Sequence, residues 1–191
     1  MTRVLVLTAV DLEARSLARH LGLSAVAGTG WPHFRGGVLE IACIGVRGAL
    51  LPERVGACRP PTIVISAGAC GALAPDLAEG ALVVPATVVT VTGERMATDP
   101  VVGLSRSGTL VSVREVAETA EAKARLWMET GALAVDMESA VVVAWARTVG
   151  ARAVVVRGVS DTARHGVPAD LARLVEPDGH VSAGRAVRVM L

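Results

Sequence analysis

Apolar positions along the chain fall into two regimes: short uninterrupted runs, and stretches in which apolar residues return every three or four positions. The run RVLVLTA (3–9) is rich in β-formers and unbroken, which predicts a strand buried on both faces. Asp11 then opens a helical pattern, with Ala14, Leu17, Ala18 and Leu21 on one side and Gly22 as the stop. GGVLEIACIG (36–45) and PTIVISAG (61–68) predict two more strands, separated by a short helix near 49–57. ALVVPATVVTVTG (81–93) reads as a further strand in which Pro85 marks a bulge or an edge.

Residues 94–108 carry Gly, Ser, Thr, Asp and Pro and predict a mobile loop. TLVSV (109–113) is the next strand. A helix over 119–130 follows, with Ala124, Trp127 and Met128 on its apolar face and Gly131 as its cap. ALAV (132–135) predicts a strand, and 137–149 a helix with Met137, Ala140, Val141 and Ala144 toward the core. ARAVVVRG (151–158) predicts the last strand, before a helical tail. Strands alternating with helices, several of them continuously apolar, predict one three-layer α/β/α domain over residues 1–191, around a mixed, largely parallel sheet. Neither an internal repeat nor a divisive linker interrupts it. In such folds ligands sit beyond the carboxyl ends of the strands.

Composition narrows the function classes. The 191 residues are 52% apolar and 19% charged, enough for a sizeable core. Basic and acidic residues nearly balance, 19 against 18, and the arginines are scattered, which argues against a nucleic-acid footprint. The longest uncharged stretches, Pro60–Pro75 and Gly80–Gly93, are too short and too broken to span a bilayer. The first residues lack a signal-peptide layout, so a cytoplasmic location is expected. Cys43, Cys58 and Cys70 are odd in number and form no C-x-x-C pair, and the four histidines lack ligand spacing. Neither disulfides nor a metal site is predicted.

Chemistry concentrates at the strand exits. Asp11 and Glu13 stand in the first turn of a helix, where helix-dipole complementarity alone accounts for acids. Gly68 and Gly71 in SAGACGAL allow a close backbone approach to a ligand, or simply a tight turn. Asp136 and Glu138 in AVDMES open the helix after ALAV; Asp136 fits a helix cap, whereas Glu138 would face the rim of the cleft. Ser160 and Asp161 in VVVRGVSDTA fit a cap, an Asx-turn or a binding group, and Arg157 could partner one of the acids. Glu13, Glu138 and Asp161 would all gather at one sheet edge. Converging carboxylates repel, so a purely structural account explains that set poorly.

AVDMESAVVVAWARTVGARAVVVRGVSDTA, SAGACGALAPDLAEGALVVP and the early TAVDLEA together resemble the nucleoside phosphorylase and nucleosidase superfamily. TAEAKARLWMETGALAVDMESA and VPADLARLVEPDGHV are most similar to its hopanoid-associated branch, which acts on an adenosyl-hopane. The resemblance implies that Glu138 holds the ribose 2′- and 3′-hydroxyls, with Met137 beneath the ring; Asp136 is a further candidate substrate-binding residue. It implies that Asp161 protonates or hydrogen-bonds N7 of the leaving purine, oriented by Ser160. Glu13 matches the acid that activates water in nucleosidases, and Gly68 would line the pocket. A carboxylate on the diol and an acid at N7 suit a bond whose cleavage leaves positive charge on the sugar and negative charge on the base.

Departures from the family pattern are equally specific. Ser66 and Ala69 stand where many phosphorylases place a phosphate-gripping Arg and Ser, leaving Arg47 and Ser66 as the candidate phosphate ligands. Leu110 and Val111 occupy the place of the purine-stacking aromatic; the chain has no Tyr and one Phe, Phe34. The expectation is phosphorolysis of an adenine nucleoside with a modified or apolar 5′ group, in a homo-oligomer, with phosphate as co-substrate and no metal or organic cofactor. The alternatives are a hydrolytic nucleosidase, of the methylthioadenosine/S-adenosylhomocysteine or futalosine type, and a non-catalytic nucleoside-binding module. A dinucleotide enzyme is disfavoured because the glycine fingerprint is missing.

Overall fold

The computed structural model describes residues 2–166 and 176–180. In chain order the elements are β1 (Val4–Thr8), α1 (Asp11–His20), β2 (Ser24–Ala25), β3 (His33–Gly36), β4 (Leu39–Cys43), α2 (Leu51–Arg54) and β5 (Ile63–Ala72). They continue as β6 (Leu82–Val83), β7 (Thr87–Thr90), β8 (Arg95–Ala97), β9 (Thr109–Ser112), α3 (Ala120–Thr130), β10 (Ala134–Asp136), α4 (Ser139–Thr148) and β11 (Arg152–Asp161). All the strands join one sheet in the order β2-β3-β4-β1-β5-β10-β9-β7-β8, with β11 on β5 and β6 on β11. The pairs β1–β4, β1–β5, β5–β11, β9–β10 and β7–β9 are parallel. Antiparallel pairs occur where β10 meets β5, at β6, and in the outer hairpins. The sheet is therefore mixed, in an α/β fold.

The layers follow from strand periodicity. In β1, Leu5 and Leu7 pack with Val142, Val143 and Ala146 of α4. Val6, on the opposite face, packs with Ala14 and Ala18 of α1. The helices thus cover both faces, which is why β1 is apolar from Val4 to Leu7. On the face shared with α1, Ala122 and Leu126 of α3 cover Val111 and Val135.

Several predicted boundaries shift. The 81–93 run is two strands, β6 and β7, because Pro85 lacks the N–H that a continuous ladder requires. The predicted loop at 94–108 begins with β8, which pairs with β7. β5 does not turn at Gly68 but runs on to Ala72, and β11 passes Gly158 to reach Asp161. The apolar faces of two helices also move. Ala124, Trp127 and Met128 are exposed, while α3 buries Lys123 instead. Val141 and Ala144 are exposed, and α4 buries Ser139, Val142, Val143 and Ala146. In the run AVVVAWA nearly every position is apolar, so periodicity leaves the phase open; the sheet decides it. Most of the helical tail lies outside the described residues.

Candidate active site

β5 and β11 lie side by side over nine paired positions, and an irregularity between Val159 and Asp161 breaks their register opposite Cys70 and Gly71. Such a bulge re-aims side chains. Here it turns Ser160 and Asp161 toward a cavity of about 170 Å³ that Glu138, Met137, Asp136 and Lys123 also line. Glu138 and Asp161, widely separated in sequence, therefore border one hollow.

Glu13 comes from the first turn of α1. Its Oε2 accepts hydrogen bonds from the amides of Ala9 and Val10, and its Oε1 accepts one from Ala69 on β5. Three amides hold this carboxylate directly over Gly68. A Cβ at position 68 would stand 2.6 Å from both Glu13 Oε1 and Arg157 Nη1. Gly68 is thus the close-approach position at which a guanidinium and a carboxylate meet the strand, rather than a turn.

Arg157, fully buried on β11, organises the floor. Its Nη2 lies 2.7 Å from Asp136 Oδ2, 2.7 Å from Ser66 Oγ and 3.9 Å from Glu138 Oε2. Burial would push the Arg157 pKa down, yet Asp136, Glu138 and Glu13 outweigh it and raise it. Asp136 Oδ2 also accepts from the amide and hydroxyl of Ser139, anchoring the start of α4. Asp136 stays in β10, and Glu138 occupies the N-cap position without capping the helix through its side chain.

Glu138 is freed for other work. Its Oε1 accepts a hydrogen bond of 2.9 Å from the Arg47 amide. Arg47 has φ +60°, an uncommon conformation for a residue with a side chain, and this turns its N–H toward the acid. Burial pushes the Glu138 pKa up to about 7; Arg157 opposes that rise, while Asp136 and Glu13 add to it. A diol donating two hydrogen bonds would favour its ionised form.

At the other end of the cavity Ser160 Oγ donates to Asp161 Oδ1 at 2.6 Å, with the Cys70 carbonyl as a second acceptor at 3.1 Å. Lys123 pairs with Asp161 Oδ2. Sequence reasoning missed Lys123, although a signal existed: it is the chain's single lysine, set in a helix otherwise supplied with arginine and glutamate.

Three predicted ligands are placed elsewhere. Leu110 and Val111 are fully buried in the core between β7 and β10, so neither faces the cavity. Val113, Val116 and Ala117, just downstream, line it instead. Ser66 is fully buried, its hydroxyl engaged by Arg157, because strand alternation turns it beneath the sheet. The exposed Arg47 borders an adjoining groove with Arg114, Thr90 and Thr92, and this groove meets the cavity at Val113 and Met137. Residues 176–180 close over the exits of β1 and β4, with Gly179 O accepting the Asp11 amide and Pro177 O accepting the Val46 amide.

Among the described residues, one group of metal-ligating types converges: His33, Glu40 and Cys58 offer atoms within 4.8 Å of one another. Glu40, however, also pairs with Arg35 and Arg59. Burial would raise the Glu40 pKa, but Arg35, Arg59 and His33 hold it down to about 2, while burial pushes the Cys58 thiol up to about 12. Two guanidiniums and a protonated thiol make this a structural knot on the β3–β4 hairpin. No helix among the described residues is long and apolar enough to cross a membrane.

The sequence model of the phosphorylase superfamily matches residues 104–190, which include Glu138, Lys123 and Asp161. No curated protein matches the chain. Among solved structures, the 5′-methylthioadenosine/S-adenosylhomocysteine nucleosidase of Helicobacter pylori, bound to butyl-thio-DADMe-Immucillin-A, superposes with a TM-score of 0.74 at 19% identity over 100% of this chain and 98% of its own. The apo 5′-methylthioadenosine nucleosidase of Arabidopsis thaliana gives 0.73 at 19% identity over 100% and 95%. A futalosine hydrolase mutant from Helicobacter pylori gives 0.70 at 18% identity over 84% and 90%. The sequence match over 104–190 is thus to the phosphorylase superfamily, and the fold is one shared with these nucleosidases and the futalosine hydrolase.

Proposed function

We propose that the protein hydrolyses the N-glycosidic bond of a purine nucleoside carrying a modified or apolar 5′ group. The observation that carries this reading is that Glu138 and Asp161 border one cavity, while Glu13 is held over Gly68 with its Oε1 on the amide of Ala69, a residue of the cavity wall. Glu138 takes the ribose hydroxyls, Met137 underlies the ring, and Asp161, with Ser160, meets the departing base. Glu13, held at the exit of β1 by three amides, is the base that activates water. Asp136 acts through Arg157 and Ser139 to set the floor rather than by touching the substrate.

Water is favoured over phosphate as the nucleophile. The Ser66 hydroxyl is turned inward onto Arg157, and the fold neighbours are nucleosidases and a futalosine hydrolase. Arg47, in the adjoining groove, remains the one phosphate candidate with an exposed side chain. Val113, Val116, Ala117 and Met137 give the cavity an apolar lining, which supports an apolar substituent and replaces aromatic stacking with aliphatic contact on the base. The finer likeness to the adenosylhopane branch rests on the 119–140 segment, and much of its second segment, 167–181, lies outside the described residues. A homo-oligomer belongs to the same proposal; Trp127 and Met128 on α3 are apolar surface that assembly could cover. No organic cofactor is invoked.

The test is product analysis. Adenosine and 5′-alkylthioadenosines are incubated with and without phosphate, and the products are separated by chromatography. Free adenine and free sugar at equal rates in both buffers are expected. Base release that requires phosphate and yields a sugar 1-phosphate would overturn hydrolysis. Nucleoside binding without base release would leave only the binding module.

A further inference from the structure

The leaving-group end of the cavity holds an ammonium that the mechanism above does not use. Lys123 is 1% exposed, and a buried lysine is costly unless its charge is paired and its three donors are satisfied. All three are. Nζ contacts Asp161 Oδ2 and donates to the carbonyls of Thr162 at 2.8 Å and His165 at 2.7 Å. Both carbonyls lie in the segment that follows β11, so one side chain from α3 fastens the whole Asp161 turn. Gly71 stands opposite: a Cβ there would lie 3.0 Å from Asp161 Oδ2 and 3.6 Å from Lys123 Cε. The strand keeps that position bare where the pair sits.

A merely structural cation has no need to border the substrate cavity, and Lys123 does border it, beside Asp161 and Ser160. The other titratable groups that border the cavity with it are Cys70 on β5, Asp136 on β10 and Glu138 at the start of α4; Arg157 acts on Cys70 from β11, and in the 162–165 turn His165 Nδ1 lies 2.8 Å from Thr162 Oγ1. Asp136 and Arg157 neutralise one another at 2.7 Å, and burial pushes the Cys70 thiol up to about 12. Lys123 and Asp161 form an ion pair at this end of the cavity, next to Ser160.

We propose that Lys123 is a positioning residue for glycosidic cleavage: it fixes Asp161 and supplies, through it, the proton that the departing base takes. This rests on the hydrolytic reading above and adds the source of the proton. As the C–N bond breaks, its electron pair passes to the base; Nζ gives a proton to the Asp161 carboxylate, which hands it on to the base nitrogen and ends ionised as it began. Lys123 is left as a neutral amine, which solvent reprotonates when the product leaves. Charge and atoms balance with no other reagent.

The experiment separates proton supply from charge and from scaffolding. Lys123→Arg keeps the cation and its hydrogen bonds but holds its proton throughout the accessible pH range. Its melting temperature and KM are expected to stay close to those of the unaltered protein, while kcat falls at least about 10-fold; Lys123→Met falls about 10²-fold or more, the range of general acid catalysis. A Lys123→Arg kcat within about 3-fold of the unaltered protein overturns the proposal, as does a loss confined to KM. If neither variant folds, the unaltered protein decides. Its kcat must fall at alkaline pH while calorimetric nucleoside affinity holds; a kcat flat to about pH 10 also overturns the proposal. If the unaltered protein releases no base under any condition, the hydrolytic reading itself fails, and that result is distinct from these.

Discussion

Glu138→Gln is expected to stabilise the protein at alkaline pH while disabling it. Glu138 is buried, and burial first, then Asp136 and Glu13, raise its pKa from the ordinary 4.5 to about 7 against the pull of Arg157. The native state therefore holds a proton that the unfolded chain has released. Stability from this group is full below about pH 4.5 and is lost as pH rises toward 7. The interval from 4.5 to about 7 corresponds to about 3 kcal/mol. Gln has the same shape, can still accept from the Arg47 amide through its carbonyl oxygen, and carries no charge to desolvate. Arg157 keeps Asp136 as its partner at 2.7 Å. Urea unfolding of both proteins at pH 5 and pH 8 isolates the effect, because every other titrating group cancels in the double difference. The variant should gain about 2–3 kcal/mol on the unaltered protein between those pH values. Its turnover should fall by about 10² or more as its grip on the ribose is lost. A stability difference identical at pH 5 and pH 8 would show that the site does not hold Glu138 under strain, and would refute the reasoning.

Asp161→Asn should lower turnover by about 10² or more. It should also lower the melting temperature, because Lys123 is left buried without its counter-charge; an unchanged rate would remove Asp161 from the mechanism. Gly68→Ala would set a methyl group 2.6 Å from Glu13 Oε1 and Arg157 Nη1, so a loss of about 1–3 kcal/mol in denaturant unfolding and of nearly all activity is expected. Full activity there would mean that the two side chains move freely. Glu40→Gln lies far from the chemistry and should leave turnover intact while costing about 3 kcal/mol at pH 7. Arg35, Arg59 and His33 hold Glu40 at about 2, so this contribution is present above about pH 4.5 and fades as pH falls toward 2. Unfolding at pH 7 and pH 3 should show the gap shrinking, and a constant gap would contradict it.

The positions where reading and structure part share a cause. Gly68, Gly71 and Gly158 look like loop punctuation in a linear sequence, yet each lies inside a long strand, with β11 beside β5. At Gly68 and Gly71 the missing side chains make room for Glu13, Arg157 and the Lys123–Asp161 pair, groups drawn from three other elements. Lys123 counts as a polar position in any periodicity, which turned the expected apolar face of α3 outward toward Trp127 and Met128. Ser66 reads as a ligand at a strand exit, but alternation along β5 turns it under the sheet to Arg157.

What the sequence alone determined is what short-range patterning encodes: the alternation of buried strands and helices, the α/β class, and the acids at the ends of β1, β10 and β11. Local propensity and the 3.6- or 2-residue period are properties of neighbours in the chain, and they survive without knowledge of packing. The tertiary structure decided which face each helix buries, which hydroxyls and guanidiniums are spent inside, and that Lys123 meets Asp161. Those outcomes depend on which distant strand lies alongside, and on the cost of leaving a buried charge unpaired, and neither quantity is local.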